Sequence, residues 1–182
     1  MIREARRTGA SHIVLFIRLG LYTAARATAI LQLTWDRVDL NDARIDFRLP
    51  GEVETKKRRP NAPINSMLVR ALRAERKKNK GKHVIAYHGR QIGLIRKGFL
   101  KIARKVGLKN VSPHTLKHTA ITWMPQNKVQ PWQVSGLTAT SVTTLLRVYG
   151  HHVQDDLREA ANAVMGRNAQ RTRNGRATQP VL

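Results

Sequence analysis

Apolar residues recur at helical spacing over residues 12–35, beginning with Ile13 and Phe16, and this pattern predicts helices with a buried face. The sequence YTAARA interrupts the pattern. We therefore expect a second helix after the break, with Thr23 as its N-terminal cap and Arg26 in its first turns. An arginine among such small residues in an apolar helix is not typical of a solvated helix face.

Apolar and polar residues alternate between Val38 and Leu49 on either side of LNDA, which is typical of a turn. This period of two predicts a pair of short strands. The next stretch, PGEVETKKRRPNAPI, is predicted to form a strand, a basic turn and a second strand. Pro60 and Pro63 limit its pairing to a sheet edge or to short stretches, because proline has no N–H group to donate.

Amphipathic helices are predicted for three further stretches. In SMLVRALRAERKKNKGK, Ser66 is the expected cap and Gly81 follows the end, and in IGLIRKGFLKIARKVGL, Val106 belongs to the apolar face. In SPHTLKHTAITWM, Ser112 is the expected cap and Pro113 takes the first helical position. The segment HVIAYHG between the first two is predicted to be extended.

Two short helices, PWQVSGL and SVTTLLRVY, and a final helix, DDLREAANAVM, are predicted towards the C-terminus. Residues 166–182 contain few apolar and many polar and basic residues, so we expect a disordered basic tail there. The predicted fold class is α+β: a mostly helical domain over residues 1–165 with a small antiparallel β-sheet.

The chain is strongly basic, since 34 Lys and Arg residues oppose 11 Asp and Glu residues, giving a formal charge of +23. Such a protein repels itself unless a polyanion neutralises it, and nucleic acid is the leading candidate. No cysteine is present, which excludes disulfides, thiolate metal sites and cysteine nucleophiles. The pattern shows no membrane-surface helix, secretory signal or membrane span, so we expect an intracellular, cytoplasmic protein that associates with nucleic acid.

The hydroxyl of Tyr149, at the end of TTLLRVY, is a candidate nucleophile. To attack a phosphodiester, a tyrosine must lose a proton with a pKa of about 10, and fixed cations must hold the charge of the transition state. The candidate groups are Arg26, the basic turn TKKRRP, and the sequence HTLKHT. In HTLKHT, the residues His114, Lys117 and His118 have i, i+3 and i+4 spacing, which predicts one shared helix face.

Two other interpretations stay open for these residues. Arg26 could form an ion pair with Asp36 or Asp39 instead of binding a phosphate. His114 and His118 could be metal ligands, although the glutamate of zinc-binding helices is absent and the lysine between them would oppose a cation.

Three segments with candidate site residues follow one another along the chain: YTAARATAILQLTWDRVDL, SPHTLKHTAITWM and TTLLRVYGHH. Together they resemble the catalytic domain of the tyrosine recombinases, the phage-integrase family, with its motifs TGxRxxExLxLxWxDID and xPHxLRHTxAT and the stretch around its nucleophile. The resemblance covers about residues 12–165. It implies the DNA breaking-rejoining fold and site-specific recombination or integration of DNA, as in phages and mobile elements.

The resemblance also implies a role for each matching residue. Arg26 would hold the scissile phosphate, and Lys56 would protonate the leaving 5′ oxygen, with Lys57 nearly as suitable. His114 would accept or orient a proton, and Tyr149 would attack to form a 3′-phosphotyrosyl bond. No metal or nucleotide cofactor is implied, because the covalent link conserves the bond energy for rejoining. Further contacts to DNA are expected from Lys57, Arg58, Arg59, His118, Arg147 and His151.

Two positions depart from the family's motifs. Lys117 stands where the family has a second arginine, and lysine keeps the charge but loses the planar fork that binds two phosphate oxygens. Leu137, in SGLTATS, takes the place of a His or Trp, for which His151 or His152 is a candidate substitute. The separate N-terminal clamp domain of the family is expected to be absent. These departures favour one alternative, a catalytically weakened recombinase-fold protein that binds DNA.

The expected partner is double-stranded DNA, with no membrane. On DNA we expect a homotetramer in which the helix DDLREAANAVM is exchanged between protomers. Two further alternatives are a basic RNA-binding protein in which Tyr149 is only packed and a type IB topoisomerase, which shares the same chemistry.

Overall fold

The computed structural model describes residues 1–49, 51 and 59–149, with only the backbone of the last two residues. The chain divides into two compact units, residues 1–142 and residues 143–182. The described part of the second unit belongs to a single helix. The predicted final helix and the predicted basic tail therefore lie outside the described residues.

Helices account for most of the described structure, as the apolar periodicity predicts. A single 3-10 turn, Trp35–Arg37, follows the third helix within these described residues. The α-helices are α1 (Ile2–Arg7), α2 (Ser11–Thr23), α3 (Ala27–Leu31), α4 (Ser66–Lys78), α5 (Arg96–Lys105), α6 (Thr115–Gln126), α7 (Pro131–Thr138) and α8 (Val142–Tyr149).

Two small antiparallel sheets complete the described fold. In the larger sheet the strand order is β1-β2-β3, and Ile45 of β2 lies opposite Val38 on one side and Ala62 on the other. Ile45 and Ala62 are fully buried, and Pro63 lies on the edge strand, as expected. The predicted strand pair and the α+β class are confirmed. The strands are β1 (Val38–Asp39), β2 (Arg44–Asp46), β3 (Asn61–Pro63), β4 (Ala86–Tyr87) and β5 (Arg90–Gln91).

The core forms around α2, which packs against α1, α3, α4 and α6. Phe16 of α2 meets Phe99 of α5 edge to face, with ring centroids 6.4 Å apart. Val106 was expected on the apolar face of α5, but it is 38% exposed. The helix ends just before it because Gly107 takes a left-handed conformation with φ of 73°. No helix in the described ranges is long and apolar enough to cross a membrane.

Two of the expected helix caps are displaced by one or two residues. The cap of α4 is Asn65, whose side-chain oxygen accepts the backbone N–H of Leu68 at 2.8 Å, and Ser66 is the first helical residue. At α6 the N-cap position belongs to His114, because Ser112 starts a turn that precedes the helix. The predictions of Ser66 and Ser112 as caps, and of Pro113 as the first residue of its helix, were therefore wrong, although asparagine at position 65 caps in the way that serine does.

The crossing of α2 and α6 depends on Gly20. A Cβ atom at this position would lie 2.8 Å from Cδ1 and 3.0 Å from Cβ of Leu116. We expect Gly20→Ala to lower the free energy of unfolding by about 1–3 kcal/mol, because the two helices must move apart. Urea unfolding measures this change.

A matched control for that substitution is Gly136→Ala in α7, where an added Cβ meets no atom within 4 Å. This change is expected to leave stability unchanged or to raise it by up to about 1 kcal/mol, because alanine is the better helix former. Equal destabilisation by both substitutions would contradict the close approach at Gly20.

Candidate active site

The break between α2 and α3 positions Arg26. Ala24 ends α2 in the left-handed conformation, with φ of 50°, and Arg26 takes the N-cap position of α3 with extended backbone angles. Thr23 does not cap α3: its hydroxyl donates to the carbonyl of Leu19 at 2.6 Å and accepts the N–H of Ala25 at 3.2 Å. Arg26 therefore precedes its helix rather than lying in the first turns, and the turn before it is fixed by hydrogen bonds.

The carboxyl groups considered as ion-pair partners of Arg26 interact with other groups. The pKa of Asp36 is lowered first by a hydrogen bond with Thr34. The pKa of Asp39 is lowered by two backbone N–H groups of the turn that follows it, each 2.8 Å from its carboxylate. These contacts account for both shifts, so the ion-pair interpretation gains no support.

Lys117 lies on the buried side of α6 and is 7% exposed. Its ammonium group donates a hydrogen bond to the carbonyl of Thr138, the last residue of α7, at 3.2 Å. Burial, followed by repulsion from Arg26, lowers the pKa of Lys117 to about 8. Since α6 packs on α2 and on α7, this one side chain connects the neighbourhood of Arg26 with the end of α7.

His114 and His118 lie on the exposed part of the same helix end, with their rings edge to face and the centroids 4.7 Å apart. The shared helix face predicted from their spacing therefore holds for the two histidines, whereas Lys117 is directed into the protein. Loss of hydration, followed by repulsion from His118, Lys117 and Arg26, lowers the pKa of His114. A neutral imidazole at physiological pH can accept a proton.

The electrostatic environment of this cluster is cationic. Every charged group that shifts the pKa of His114 or Lys117 is itself a cation, within the part of the chain that the structure describes. Neighbouring cations favour an anion beside them, and a phosphate group can accept hydrogen bonds from an arginine, a lysine and a histidine. The structure does not support His114 and His118 as metal ligands, because the described residues contain no group of three or more His, Cys, Asp or Glu side chains that could hold an ion.

The base of the β2–β3 hairpin is tied to the end of α3. Arg59 donates to the side-chain oxygen of Gln32 at 2.9 Å and to the carbonyl of Phe47 at 3.5 Å. The N–H of Phe47 in turn donates to the carbonyl of Pro60 at 3.0 Å. The predicted DNA contacts and proton donor nearest to this base, Lys56, Lys57 and Arg58, lie outside the described residues.

The second unit carries the predicted nucleophile. Tyr149 is the last residue of α8, and its side chain lies outside the described residues, as do His151 and His152. Arg147, a predicted DNA contact, is exposed in the last turn of the same helix. The roles of these residues stay predictions.

The sequence gives no signal for two features of this site. The acceptor for Lys117 is a main-chain carbonyl, so the side chain of Thr138 does not indicate this contact. The sequence motif indicated the neighbouring residue Leu137, which is half-buried. The turns beside Arg26 and Thr138 both contain an alanine in the left-handed conformation, Ala24 and Ala139, each with φ of 50°. Glycine is the usual residue in this conformation, and TGxR has glycine where this chain has Ala24.

The depressed pKa of Lys117 predicts a specific dependence of stability on pH. Below pH 8 both the folded and the unfolded chain carry the proton; between pH 8 and 10.5, the usual value, only the unfolded chain keeps it. The contribution of Lys117 to the free energy of unfolding should therefore rise across this window by up to about 3 kcal/mol.

Urea unfolding of the protein and of Lys117→Met at pH 7.5 and pH 10 tests this dependence. The advantage of the methionine variant should shrink at the higher pH, because deprotonation removes the buried charge from the unsubstituted protein. An equal difference between the two proteins at both pH values would contradict the pKa shift.

The comparisons with known proteins identify the family and the fold. The model of the Phage integrase family matches residues 2–155. The chain belongs to the phage integrase family. The resemblance inferred from the three sequence segments is confirmed by this match. No curated protein matches the chain.

Solved structures of recombinases and integrases share the fold. The XerA recombinase has a TM-score of 0.67 at 20% identity, over 89% of this chain and 60% of that chain. The Tn1549 transposon integrase in complex with transposon right end DNA has a TM-score of 0.73 at 17% identity, over 87% and 60%. A dimer of lambda integrase residues 75–356 bound to a COC′ core site has a TM-score of 0.63 at 13% identity, over 79% of this chain and 55% of that chain. The chain thus spans about 60% of the length of the first two structures.

Proposed function

We propose that this chain is the catalytic domain of a site-specific DNA recombinase that cleaves and rejoins duplex DNA through a 3′-phosphotyrosyl intermediate. The observation that carries the proposal is the cluster of two cations, Arg26 and Lys117, with His114, which brings together distant segments of a chain of the phage integrase family. A chain with a formal charge of +23 also has the electrostatic character of a nucleic-acid-binding protein.

The proposed reaction exchanges one phosphodiester bond for another. The hydroxyl oxygen of Tyr149 bonds to phosphorus, its proton passes to neutral His114, and the bond from phosphorus to the 5′ oxygen breaks. Lys56 gives a proton to the departing oxygen, with Lys57 as the alternative donor. Arg26 and Lys117 hold the non-bridging oxygens, whose charge grows in the transition state. The reverse sequence rejoins the strand without an external energy source.

The proposed assembly acts on duplex DNA as a homotetramer, with the helix DDLREAANAVM exchanged between protomers. The segment that would be exchanged lies outside the described residues. The dimer of lambda integrase on a core site and the Tn1549 integrase on transposon end DNA support DNA as the partner. Both share the fold of this chain.

One observation favours a second candidate function, a recombinase-fold DNA-binding protein with weak catalysis. The family's second arginine is replaced by Lys117, whose pKa of about 8 leaves part of the ammonium population deprotonated in mildly alkaline solution. A buried lysine has neither the permanent charge nor the planar fork of arginine. Such a protein would bind DNA without cutting it.

A covalent trapping assay separates these functions. The protein is incubated with nicked duplexes of random sequence, denatured in SDS, and examined for a protein–DNA species that survives denaturation. The proposed recombinase gives this species with duplex DNA and not with RNA of matched sequence. Salt-dependent duplex binding without the species would favour the second candidate, and a preference for RNA would reject both.

A further inference from the structure

The end of α7 forms an unusual environment for a threonine. Thr138 is 1% exposed, and its carbonyl accepts the ammonium of Lys117 at 3.2 Å. The helix ends there because Ala139 is left-handed, with φ of 50°. The C-terminal end of a helix carries partial negative charge, which favours a cation beside it.

The hydroxyl of Thr138 has no hydrogen-bond partner within the described part of the chain, although its oxygen is completely buried. Burying an unpaired hydroxyl costs about 1–3 kcal/mol. Other buried threonines do not carry this cost: the hydroxyl of Thr23 bonds to Leu19 and Ala25, and that of Thr34 accepts from Arg37 at 3.0 Å. The unpaired hydroxyl is therefore a feature of the end of α7 and not of buried threonines in this fold.

The ammonium of Lys117 has donors left over. An ammonium group has three N–H donors, and among the described residues its acceptor is the carbonyl of Thr138. The unpaired hydroxyl of Thr138 belongs to the same residue as that carbonyl, so the end of α7 offers a second, buried oxygen near the acceptor that Nζ already uses.

We propose that Thr138 is a positioning residue for Lys117: its carbonyl and hydroxyl form a two-oxygen site for the ammonium, and the hydroxyl is engaged when a DNA phosphate binds. This inference rests on the proposed function. A lysine side chain is flexible and lacks the fixed fork of arginine. Two oxygens of one rigidly packed residue fix the direction of its remaining donors, and a bound phosphate stabilises the charged ammonium that both oxygens accept from.

Thr138→Val and Thr138→Ser test this role. Valine keeps the shape and removes the hydroxyl, and serine keeps the hydroxyl. We expect Thr138→Val to be as stable as the unsubstituted protein or more stable, yet to form the SDS-resistant DNA species about ten-fold or more slowly and to bind duplex DNA more weakly. Thr138→Ser should stay within about three-fold in both measurements. Thr34→Val, which removes a bonded hydroxyl outside the cluster, should lose stability without the DNA defects.

The dependence on Lys117 is measured in a double-mutant cycle. In the Lys117→Met background, Thr138→Val should cause no further loss of duplex affinity, because the ammonium that uses the hydroxyl is absent. The inference is overturned by a Thr138→Val protein with normal duplex affinity, or by a loss of affinity that persists in the Lys117→Met background. If the unsubstituted protein forms no covalent species, the proposed function fails, and the duplex dissociation constants still decide the role of Thr138.

Discussion

Tyr149→Phe is expected to abolish the SDS-resistant DNA species while leaving the dissociation constant for duplex DNA within about three-fold. The substitution removes one oxygen, and phenylalanine cannot form the bond to phosphorus that the mechanism requires. Affinity should persist because it depends mainly on the many cations of a chain with a formal charge of +23. Gel analysis after denaturation measures the adduct, and a fluorescence titration measures the affinity.

A matched control for this substitution is Tyr87→Phe. Tyr87 lies in β4, is 55% exposed and contacts the rings of His12 and His88. The Tyr87→Phe protein should form the adduct at the rate of the unsubstituted protein. An adduct that persists in Tyr149→Phe would move the nucleophile to another residue, and loss of the adduct in both variants would point to a general effect of losing a phenol.

Lys117→Met is expected to slow adduct formation by about a hundred-fold or more and to raise stability at neutral pH. Removing one donor to a transition-state oxygen typically costs about 2–4 kcal/mol of activation free energy. The gain in stability follows because methionine fills similar volume without a buried charge. Slower adduct formation together with higher stability would show that Lys117 acts on the phosphate, because a residue that only supports the fold would lose stability when replaced.

The pH dependence of the rate provides a second arm of this experiment. In the protein without DNA, Lys117 has a pKa of about 8. The rate of adduct formation at subsaturating DNA should therefore fall above that pH. Lys117→Arg carries a permanent charge and should remove this decline. If the rate of adduct formation declines in the same way in Lys117→Arg, the decline belongs to another titrating group. If Lys117→Met forms the adduct as fast as the unsubstituted protein, Lys117 is excluded from the site.

The sequence was a good guide where periodicity determines the structure. The i, i+3, i+4 pattern placed the amphipathic helices, and alternation around LNDA placed the strand pair of Val38 and Ile45. Helix ends were less predictable, because Asn65 and Ser66 are both good caps and the backbone geometry decides between them.

The site was predictable in its residue types and not in its arrangement. The sequence HTLKHT indicated three polar groups at one helix end, yet it did not indicate that Lys117 is buried against α7 while the two histidines stay exposed. That difference depends on the packing of α6 against α2 and α7, which joins residues far apart in the chain. A main-chain acceptor such as Thr138 leaves no trace in local composition.

The repulsion between Arg26 and Lys117 gives dissolved ions two opposing effects. Added salt screens like charges and so supports the unliganded fold, whereas the same salt opposes the release of counterions that makes a duplex bind. A higher ionic strength is therefore expected to favour the unliganded fold and to weaken the proposed binding to DNA. In the proposed complex the phosphates add negative charge beside these cations, so a bound duplex is expected to stabilise the folded domain.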